Sequence, residues 1–388
     1  MERAELEAIV RSCSGAVRRG DGWFLTDPGW TAERRAEAEA VLAQADAGER
    51  EGLGWLGIPT GGTGGALRFA RHDEKTLAAA VRGFCAHFGL VRVNAVDVLP
   101  AHHVSGLMAR VRSAATGGEH RAWSWKQLDA GERPAFSARD DGWVISLVPT
   151  QLQRLLATEG GANWLRGFRI VFVGGGPVWP TLTEAAATAR VPVALSYGMT
   201  ETAAMVAALR PEEFLAGARH CGRALPHARL GIGSDGAISV TGESVFRGYW
   251  PTWRVGDSFA TDDVGALAAD GSLTVVGRRD AVIITGGKKV QPERVEAALK
   301  AALAVAEVVV IGVPDSDWGE KVVACLPTVL AAGAPSVDLS GLAPYERPKC
   351  WITVDPWPVN AQGKVNRVAL RAAALAQLPG AAAPHRQV

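Results

Sequence analysis

The chain has 388 residues, of which 48% are hydrophobic, 21% charged and 7% aromatic, a composition that can bury a full core and excludes a disordered or fibrous protein. Lys and Arg (41) nearly balance Asp and Glu (40), giving a net charge of +1. No basic run of the kind that follows a phosphate backbone occurs, which argues against a nucleic-acid-binding protein. The length predicts two or three domains, or one large domain with a smaller companion.

Three features bear on the compartment of the protein. The first 20 residues carry charges throughout and lack the uninterrupted apolar segment of a signal peptide. The most apolar stretch, residues 301–313, contains Glu307 and is shorter than the roughly 20 residues that a membrane span needs. The five cysteines lie far apart without a CxxC pair, so the sequence predicts neither a zinc site nor a disulfide framework. We expect a cytoplasmic protein without a membrane span.

The first part of the chain alternates predicted helices with predicted strands. Residues 31–48 and 73–89 are rich in helix formers and begin with the capping residues Thr31 and Asp73. The predicted strands are residues 95–99, 143–148, 168–173 and 191–196. Thr150 is placed to cap the helix that follows the second of these strands. Strands that alternate with helices predict a largely parallel sheet covered on both faces.

The later segments show a different pattern of predicted helices and strands. Asp-Gly pairs at Asp235 and Asp270 separate short strands and predict antiparallel hairpins. Further along, a helix opened by Pro292 lies among short strands, and a last helix closes the chain. We therefore predict an α/β fold with two parts: a large α/β domain of residues 1–279, mostly parallel with an antiparallel segment, and a small α+β domain of residues 280–388.

Four motifs can carry chemistry. In the first, residues 59–68 (PTGGTGGALR), four glycines in five positions let the backbone bend around an anion, and threonine hydroxyls and Arg68 add donors. This loop can cradle phosphates, and its alternative interpretation is a flexible surface loop. The Walker pattern GxxxxGK[ST] does not occur, so a P-loop NTPase is not indicated.

The second motif, residues 196–202 (SYGMTET), directly follows a predicted strand. Residues just past the C-terminal end of a parallel strand line the ligand crevice of such sheets. Tyr197 can stack on a base, and Glu201 can hold Mg²⁺. The alternative is a polar loop that caps the next helix.

The third and fourth motifs are weaker when taken alone. Asp263 is followed about 15 residues later by GRRD at 277–280, and a carboxylate beside an arginine can bind ribose hydroxyls; its alternative is a turn. Lys364, beside a glycine, can neutralise charge on a phosphoryl or carboxylate oxygen. Its alternative is a solvated lysine before the last helix.

In this order the four motifs resemble the adenylate-forming superfamily, which includes acyl-CoA and aryl-CoA ligases, firefly luciferase and the adenylation domains of peptide synthetases. The matching segments lie between about residues 55 and 370, and the most specific are YGMTET and the run from GRRD to PERVE. Within the superfamily the chain most resembles the o-succinylbenzoate CoA ligases of menaquinone and phylloquinone biosynthesis. The features that carry this likeness are HVSGL at 103–107, SLVPTQ at 146–151 and the short phosphate loop PTGGTGGALRFA.

The resemblance implies an ATP-dependent, AMP-forming ligase that uses Mg²⁺, adenylates the succinyl carboxylate of o-succinylbenzoate and transfers the acyl group to CoA. The residues that it assigns to ATP are Thr60, Gly61, Gly62, Thr63, Gly64, Arg68, Gly175, Gly176, Tyr197, Gly198, Asp263 and Arg278. It assigns catalysis to Thr200, Glu201 and Lys364, with Glu201 as the magnesium ligand. Asp280 falls at the hinge between the two domains, and Gly286 and Gly287 at the path of CoA.

The resemblance also implies an acyl pocket, lined by His103, Ser105, Arg112 and Thr150. A buried aromatic carboxylate needs a partner, and we expect Arg112 to be that partner. Arg110 and Arg112 would share a face only on a strand, so one of the two can be solvated.

The chain departs from the family pattern at four points. Arg68 stands in place of the usual lysine and keeps its charge as a planar fork, Asp262 replaces a glycine, and Ala237 replaces a glutamate. Only 59 residues precede Thr60, fewer than in full-length relatives, so we expect part of the N-terminal subdomain to be absent and contacts to CoA or to a second copy in a homodimer to be rearranged. Two alternatives stay open: another aryl-CoA or acyl-CoA ligase, and a nucleotide-binding homologue without catalysis.

Overall fold

The computed structural model describes residues 1–46, 53–60, 66–136, 142–303, 305, 307–327, 338–359 and 365–378. Helices and strands are numbered in chain order. The helices are α1 Arg3–Ser12, α2 Ala32–Leu42, α3 Glu74–Phe88, α4 Val104–Ala115, α5 Trp125–Asp129, α6 Pro149–Ala157, α7 Gly161–Leu165, α8 Pro180–Thr188, α9 Pro211–Leu215, α10 Pro292–Leu303 and α11 Arg367–Gln377. The strands are β1 Ala16–Arg19, β2 Gly22–Leu25, β3 Leu56–Thr60, β4 Arg68–His72, β5 Asn94–Asp97, β6 His120–Ala122, β7 Trp143–Leu147, β8 Ile170–Val173, β9 Val193–Met199, β10 Ala204–Ala208, β11 Arg223–Ala224, β12 Ala228–Ile232, β13 Ala237–Gly242, β14 Ser258–Leu267, β15 Leu273–Arg278, β16 Ile283–Thr285, β17 Lys288–Val290, β18 Val309–Asp315, β19 Gly319–Pro327 and β20 Cys350–Val354.

The largest sheet has seven strands in the order β11-β10-β9-β8-β7-β5-β6. Strands β5 to β9 pair in parallel, and β10 and β11 continue the sheet antiparallel. The four residues of β8 are all buried, as expected for a central strand with both faces covered. All four strands predicted for the first part of the chain lie in this sheet. Their carboxyl ends therefore meet at one edge, which is where the ligand crevice of such sheets lies.

Local capping chemistry explains the helix that supports this edge. The Asp73 carboxylate accepts hydrogen bonds from the backbone N–H groups of Lys75 and Thr76, and Gly89 ends α3 at a left-handed φ of 62°. Burial alone would raise the pKa of Asp73, but the hydrogen bond and charge of Arg247, whose Nε lies 2.7 Å from the carboxylate, outweigh it and lower that pKa. The predicted helix 73–89 is thus observed almost residue for residue.

Two other local predictions need correction, and one helix was missed. The predicted helix 31–48 begins as expected, with Thr31 accepting from the N–H of Arg34, but α2 ends at Leu42, and residue 48 lies outside the described residues. Thr150 does not cap a helix: α6 begins one residue earlier, with Pro149 at its first position, where the fixed φ of proline suits a helix start. The helix α4 was not predicted from the sequence.

Two further sheets flank the crevice. The order in the first is β1-β2-β3-β4, and β3 and β4 form the hairpin that carries the glycine-rich loop. The second, β12-β13-β14-β15, is antiparallel and contains the two predicted Asp-Gly hairpins. Its register places Asp263 directly opposite Arg278, so the 15-residue spacing seen in the sequence becomes a cross-strand pair.

The last sheet, β17-β16-β19-β18 with β20 parallel to β19, is built only from residues after 282. Helices α10 and α11 pack on it, and Arg367 at the start of α11 bonds Glu296 of α10 at 2.5 Å. Across to the larger part of the chain, the Lys300 ammonium lies 3.8 Å from the centroid of the Trp179 ring. The five cysteines are free thiols.

Candidate functional site

The crevice is closely packed where β8 and β9 end. The Ser196 hydroxyl donates to the carbonyl of Val173 at 3.3 Å. A Cβ added at Gly174 would lie 2.7 Å from the Ser196 Oγ and 2.9 Å from its carbonyl oxygen, so only glycine fits at the first position after β8. Gly175 follows with a left-handed φ of 74°. The backbone at Gly174 is therefore packed directly against β9.

Glu201 lies just beyond β9, in the short 3-10 helix Thr200–Thr202, and only 6% of its surface is exposed. Its Oε1 accepts from the Tyr249 hydroxyl at 2.6 Å and from the Thr60 hydroxyl at 3.3 Å. The Arg68 guanidinium lies 4.2 Å from the centroid of the Tyr249 ring. Since Thr60 and Arg68 are paired where β3 ends and β4 begins, the stem of the glycine-rich loop and the Glu201 carboxylate share one corner.

Behind this corner lies His72, a residue with no predicted role. Its Nε2 is 2.8 Å from the carbonyl oxygen of Thr200, and its Nδ1 is 3.1 Å from the Thr76 hydroxyl. Since a carbonyl only accepts, Nε2 carries the proton. Burial lowers the pKa of His72 to about 4, so the ring is neutral at pH 7 and fixes the turn that presents Glu201. The sequence signal that could have identified His72 is its position directly before Asp73, the residue that caps α3.

Tyr249 was also missed as an individual residue, although it lies within residues 55–370, the range that the resemblance covers. Its contact with Glu201 spans 48 residues of sequence, and no local pattern encodes such a contact.

A second group lies on the other side of the crevice. The Tyr197 hydroxyl donates to the Asp263 carboxylate at 2.8 Å, and the Arg278 Nη1 lies 3.4 Å from the other oxygen. Arg278 also makes a two-point contact with Asp280, both distances being 2.7 Å. Burial raises the pKa of Asp263, and the Tyr197 hydrogen bond and Arg278 charge offset part of that effect. Such a carboxylate can accept from ribose hydroxyls.

The segment between these groups is tightly turned. A Cβ at Gly198 would lie 2.1 Å from the carbonyl oxygen of Ala204, so glycine is required where β9 and β10 pair. A backbone reversal of only a few residues between β9 and β10 therefore places Glu201 at the crevice.

The third group lies on α4. His103 immediately precedes the helix, Ser105 is in its first turn, and Arg112, two turns after Ser105, lies on the same face. Arg112 is 4% exposed, and its guanidinium lies 4.1 Å from the centroid of the Phe84 ring. Within the described residues its Nε and Nη2 have no hydrogen-bond partner. Burial lowers the pKa of Arg112 to about 10, and it remains a cation at pH 7.

Arg110 points to a different partner. Two residues apart on a helix face in nearly opposite directions, and the Arg110 Nε lies 3.8 Å from the buried carboxylate of Asp97. Of these two arginines, only Arg112 lacks an acidic partner among the ion pairs of the described residues.

The remaining predicted site residues fall into two sets. Thr150 is the second residue of α6, which follows β7 at the crevice edge, and Gly286 and Gly287 form the β16–β17 turn with left-handed φ values of 53° and 73°. Gly61, Gly62, Thr63, Gly64 and Lys364 lie outside the described residues. Flanking Lys364, Val359 and Val365 form an antiparallel bridge.

The residues around Glu201 fit a magnesium ion that is held partly by the substrate better than a metal ion held by protein side chains alone. Over the part of the chain that the structure describes, no three His, Cys, Asp or Glu side chains are grouped to hold a metal ion. Mg²⁺ is commonly held by one or two carboxylates together with substrate phosphates and water, and Glu201 beside the phosphate-loop stem matches that pattern. In the described residues no helix is both long and apolar enough to cross a membrane.

Comparisons with known proteins agree with this geometry. The family model described as AMP-binding enzyme matches residues 56–250, half of the chain. The chain is 34% identical over 284 residues to the 2-succinylbenzoate–CoA ligase of Listeria monocytogenes, a match that covers 70% of this chain and 60% of that protein. The chain thus spans about 60% of the length of the curated relatives that it matches.

Solved structures show the same fold. The o-succinylbenzoate CoA synthetase from Bacillus subtilis in complex with the acyl-adenylate intermediate has a TM-score of 0.69 and 25% identity, covering 90% of this chain and 78% of that chain. The same enzyme in complex with ATP and magnesium ion also has a TM-score of 0.69 and 25% identity, covering 95% and 82%. The predicted α/β fold class is confirmed. The family match over half of the sequence and the shared fold show that the chain belongs to the AMP-binding enzyme family.

Proposed function

We propose that the chain is an ATP-dependent, AMP-forming ligase that adenylates the succinyl carboxylate of o-succinylbenzoate and transfers the acyl group to CoA. The observation that carries this proposal is the corner formed by Glu201, Tyr249, Thr60 and Arg68 at the carboxyl ends of the parallel strands. The names of the relatives and the ligands in their structures support the same reaction.

The chemistry of the first step requires positive charge. ATP and the succinyl carboxylate are both anions, and attack of a carboxylate oxygen on the α-phosphorus forms acyl-AMP and releases pyrophosphate. Mg²⁺, when bound at Glu201, neutralises phosphate charge. Arg68 and the donors of the phosphate loop would orient the triphosphate, and Lys364 would stabilise the charge that develops at the α-phosphate. Positioning and electrostatics therefore supply most of the catalysis.

The nucleoside would be held on the opposite side. Asp263 accepts from Tyr197 and faces Arg278, so its carboxylate is fixed in orientation and able to accept ribose hydroxyls. Gly175, Gly176, Tyr197 and Gly198 would surround adenine, because the tight glycine turns bring their backbone close to the crevice.

For the second step we propose that residues 280–388 form a mobile lid that turns about Asp280 over the domain of residues 1–279. The turn would remove Lys364 and bring Gly286 and Gly287 to the pantetheine arm of CoA, whose thiolate attacks the acyl carbon and releases AMP. The left-handed glycines allow a close approach of that arm.

In the acyl pocket, Arg112 would bind the anionic end of the substrate. A buried guanidinium with unpartnered nitrogens is costly unless an acceptor arrives, and the ring carboxylate of o-succinylbenzoate is such an acceptor. His103, Ser105 and Thr150 would line the rest of the pocket. Replacement of Arg112 by Ala should raise the KM for o-succinylbenzoate far more than that for ATP, whereas Arg110→Ala, on the other face of α4, should not.

We further propose that the enzyme acts in the cytoplasm, in keeping with its free thiols, and that its partners are small molecules. The homodimer that the resemblance implies is tested by the molar mass in solution.

The deciding experiment is ATP–pyrophosphate exchange with Mg²⁺ over a panel of acids, followed by product analysis with CoA. We expect exchange that depends on o-succinylbenzoate and formation of AMP. ADP and phosphate as products would contradict adenylation. Exchange only with benzoates or fatty acids would identify another acyl-CoA ligase, and no exchange with any acid, while ATP still binds, would identify a non-catalytic homologue. Glu201→Gln is the matched inactive control.

A further inference from the structure

His227 is a buried histidine that the proposed mechanism does not use. It lies between β11 and β12, is 9% exposed, and its ring rests directly on the backbone of α3: a Cβ added at Gly83 would lie 1.8 Å from its Nδ1. Within the described residues neither ring nitrogen has a hydrogen-bond partner. Buried polar groups of folded proteins are almost always paired, so a histidine in this state indicates a partner that comes from outside the chain.

The position of His227 beside Arg112 suggests what that partner is. Gly83, under the histidine ring, is followed in the chain by Phe84, and Arg112 lies over the Phe84 ring at 4.1 Å. Two consecutive residues of α3 therefore support two buried groups whose nitrogens are unpartnered. The other charged neighbour of His227 is Arg82, which is paired with Glu243 at 2.7 Å. The positive charge of Arg112 is left without an acidic partner among the described residues, and an anion would compensate it.

A small cavity adjoins Arg112 on the side of the large sheet. Its lining includes Phe84, Asp97, Arg112, Ser146 and Phe172, and the Asp97 carboxylate is already paired with His120 at 3.1 Å and with Arg110 at 3.8 Å. Phe172 precedes Gly174 by two residues, about 7 Å along a strand, and Gly174 lies at the crevice where the adenylate would form. A short aryl acid can therefore place one end at Arg112 and the other at the reacting centre.

We propose that His227 is a second binding residue for the ring carboxylate of the aryl acid, which it shares with Arg112. The inference rests on the proposed function and deepens it, because it makes the ring carboxylate a determinant of specificity. Arg112 supplies N–H donors to one carboxylate oxygen, and a protonated ring nitrogen of His227 donates to the other.

This arrangement couples substrate binding to a proton. In the free chain, burial and the nearby charges of Arg112 and Arg82 lower the pKa of His227 to about 4, so the ring is neutral at pH 7. A bound carboxylate adds a negative charge beside the ring and raises that pKa. Binding then takes up a proton from solvent onto the imidazole, and affinity for the acid falls as pH rises through the pKa of the complex.

The first test compares two acids, o-succinylbenzoate and benzoylpropionate, which is the same acid without the ring carboxylate. In ATP–pyrophosphate exchange, His227→Leu should lower kcat/KM for o-succinylbenzoate roughly tenfold or more, the scale of a lost hydrogen bond to a charged group, with little change for benzoylpropionate. His227→Gln should keep part of the preference, because its amide still donates. His87→Gln, a change at a half-buried histidine outside the proposed pocket, is the control and should leave the preference unchanged.

The second test is calorimetry of o-succinylbenzoate binding at several pH values between about 4 and 7, in two buffers of different ionisation enthalpy. The wild-type protein should take up protons and His227→Gln should not. Gly83→Ala, whose methyl would push the ring aside, should weaken proton uptake with His227 still present, so the test survives a His227 variant that fails to fold.

Equal effects of the His227 variants on both acids, or equal proton uptake by wild-type protein and His227→Gln, would overturn the inference while the proposed function stands. A wild-type protein that makes no adenylate from o-succinylbenzoate would overturn both.

Discussion

Glu201 is held by hydroxyl groups and not by a cation. Its Oε1 receives the Tyr249 and Thr60 hydroxyls, and none of the ion pairs found in the described ranges includes it. Hydroxyl donors fix the direction of a carboxylate without cancelling its charge, which leaves the charge available to a metal ion. The Arg68 guanidinium lies against the face of the Tyr249 ring, so it restrains the tyrosine that donates to Glu201 and does not pair with the carboxylate itself.

Tyr249→Phe should separate the two roles of Tyr249, which are to donate a hydrogen bond to Glu201 and to carry Arg68 on the face of its ring. It removes the O–H donor to Glu201 but keeps the ring under Arg68, so we expect pyrophosphate exchange to fall about tenfold, as for a lost charge-assisted hydrogen bond, and to require more Mg²⁺, with little change in the KM for ATP. Titration of exchange activity with Mg²⁺ measures both effects. Tyr345→Phe, at the tyrosine outside the crevice, is the control. Full activity of Tyr249→Phe would show that Glu201 needs no such restraint.

At the scale of single elements, the start of α3 is stabilised by one carboxylate, that of Asp73, which makes several contacts. Asp73 caps the helix, accepts the N–H of Gly54 and pairs with Arg247, all while fully buried. By contrast, Thr31 caps α2 at an exposed position with a single hydrogen bond. The two caps have the same local signature in the sequence and very different surroundings in the fold.

We therefore expect Thr31→Ala to lower the free energy of unfolding by about 1 kcal/mol, the usual value for an N-cap. Asp73→Ala should cost about 3–5 kcal/mol, because it also leaves Arg247 without its partner. Thermal denaturation of the two variants measures the difference. Asp73→Asn, which keeps the cap and loses the charge, should fall between them, and equal costs for Thr31→Ala and Asp73→Ala would contradict the account.

The same contrast explains what the sequence could predict. Helix α3 and the Asp-Gly hairpins were predictable because capping residues and turn residues act on their own neighbours. Helix α4 was missed because Gly106 and Ser105 have weak helix propensity, and its stability comes from buried Leu107, Met108 and Val111. The contacts of Glu201 with Thr60 span 141 residues, so tertiary packing alone brings them together. Resemblance to a family could name Glu201, but not the His72 behind it.

For the molecule as a whole, two buried histidines connect stability to pH. Burial lowers the pKa of His72 to about 4, and burial together with Arg112 and Arg82 does the same for His227, against 6.5 for a free histidine. A depressed folded-state pKa contributes stability that is fully present above 6.5 and is lost as pH falls toward 4. Each ring should contribute up to about 3 kcal/mol.

We expect the thermal midpoint to drop as pH is lowered from about 6.5 to about 4, and the drop to be smaller in His72→Gln, whose side chain does not titrate. Scanning calorimetry across that range measures it. His220→Gln, at a histidine that is only partly buried, should keep the wild-type slope, and an unchanged slope in His72→Gln would contradict the assignment of a neutral buried ring.

The proposed lid makes a separate prediction. Lys364→Ala should slow acyl-AMP formation by about 10²-fold or more, the scale of one lost transition-state donor, and leave thioester formation from preformed acyl-AMP nearly unchanged, because that step uses the other lid orientation. Single-turnover assays of the two half-reactions separate the effects. Lys126→Ala, at an exposed lysine of α5, is the control, and equal impairment of both half-reactions in a folded Lys364 variant would contradict a lid that alternates.

The contact between Lys300 and Trp179 would act as a latch of modest strength for the proposed lid. An ammonium 3.8 Å from an indole centroid contributes about 1–2 kcal/mol when partly desolvated, enough to favour one orientation severalfold and too little to hold it against thermal motion. In the proposed rotation this contact must open once per turnover. A stronger contact would make release of the lid the slowest step of the cycle. A weaker contact would leave ATP accessible to water between the two steps. The strength of this one cation–aromatic contact would therefore balance the turnover rate against protection of the nucleotide.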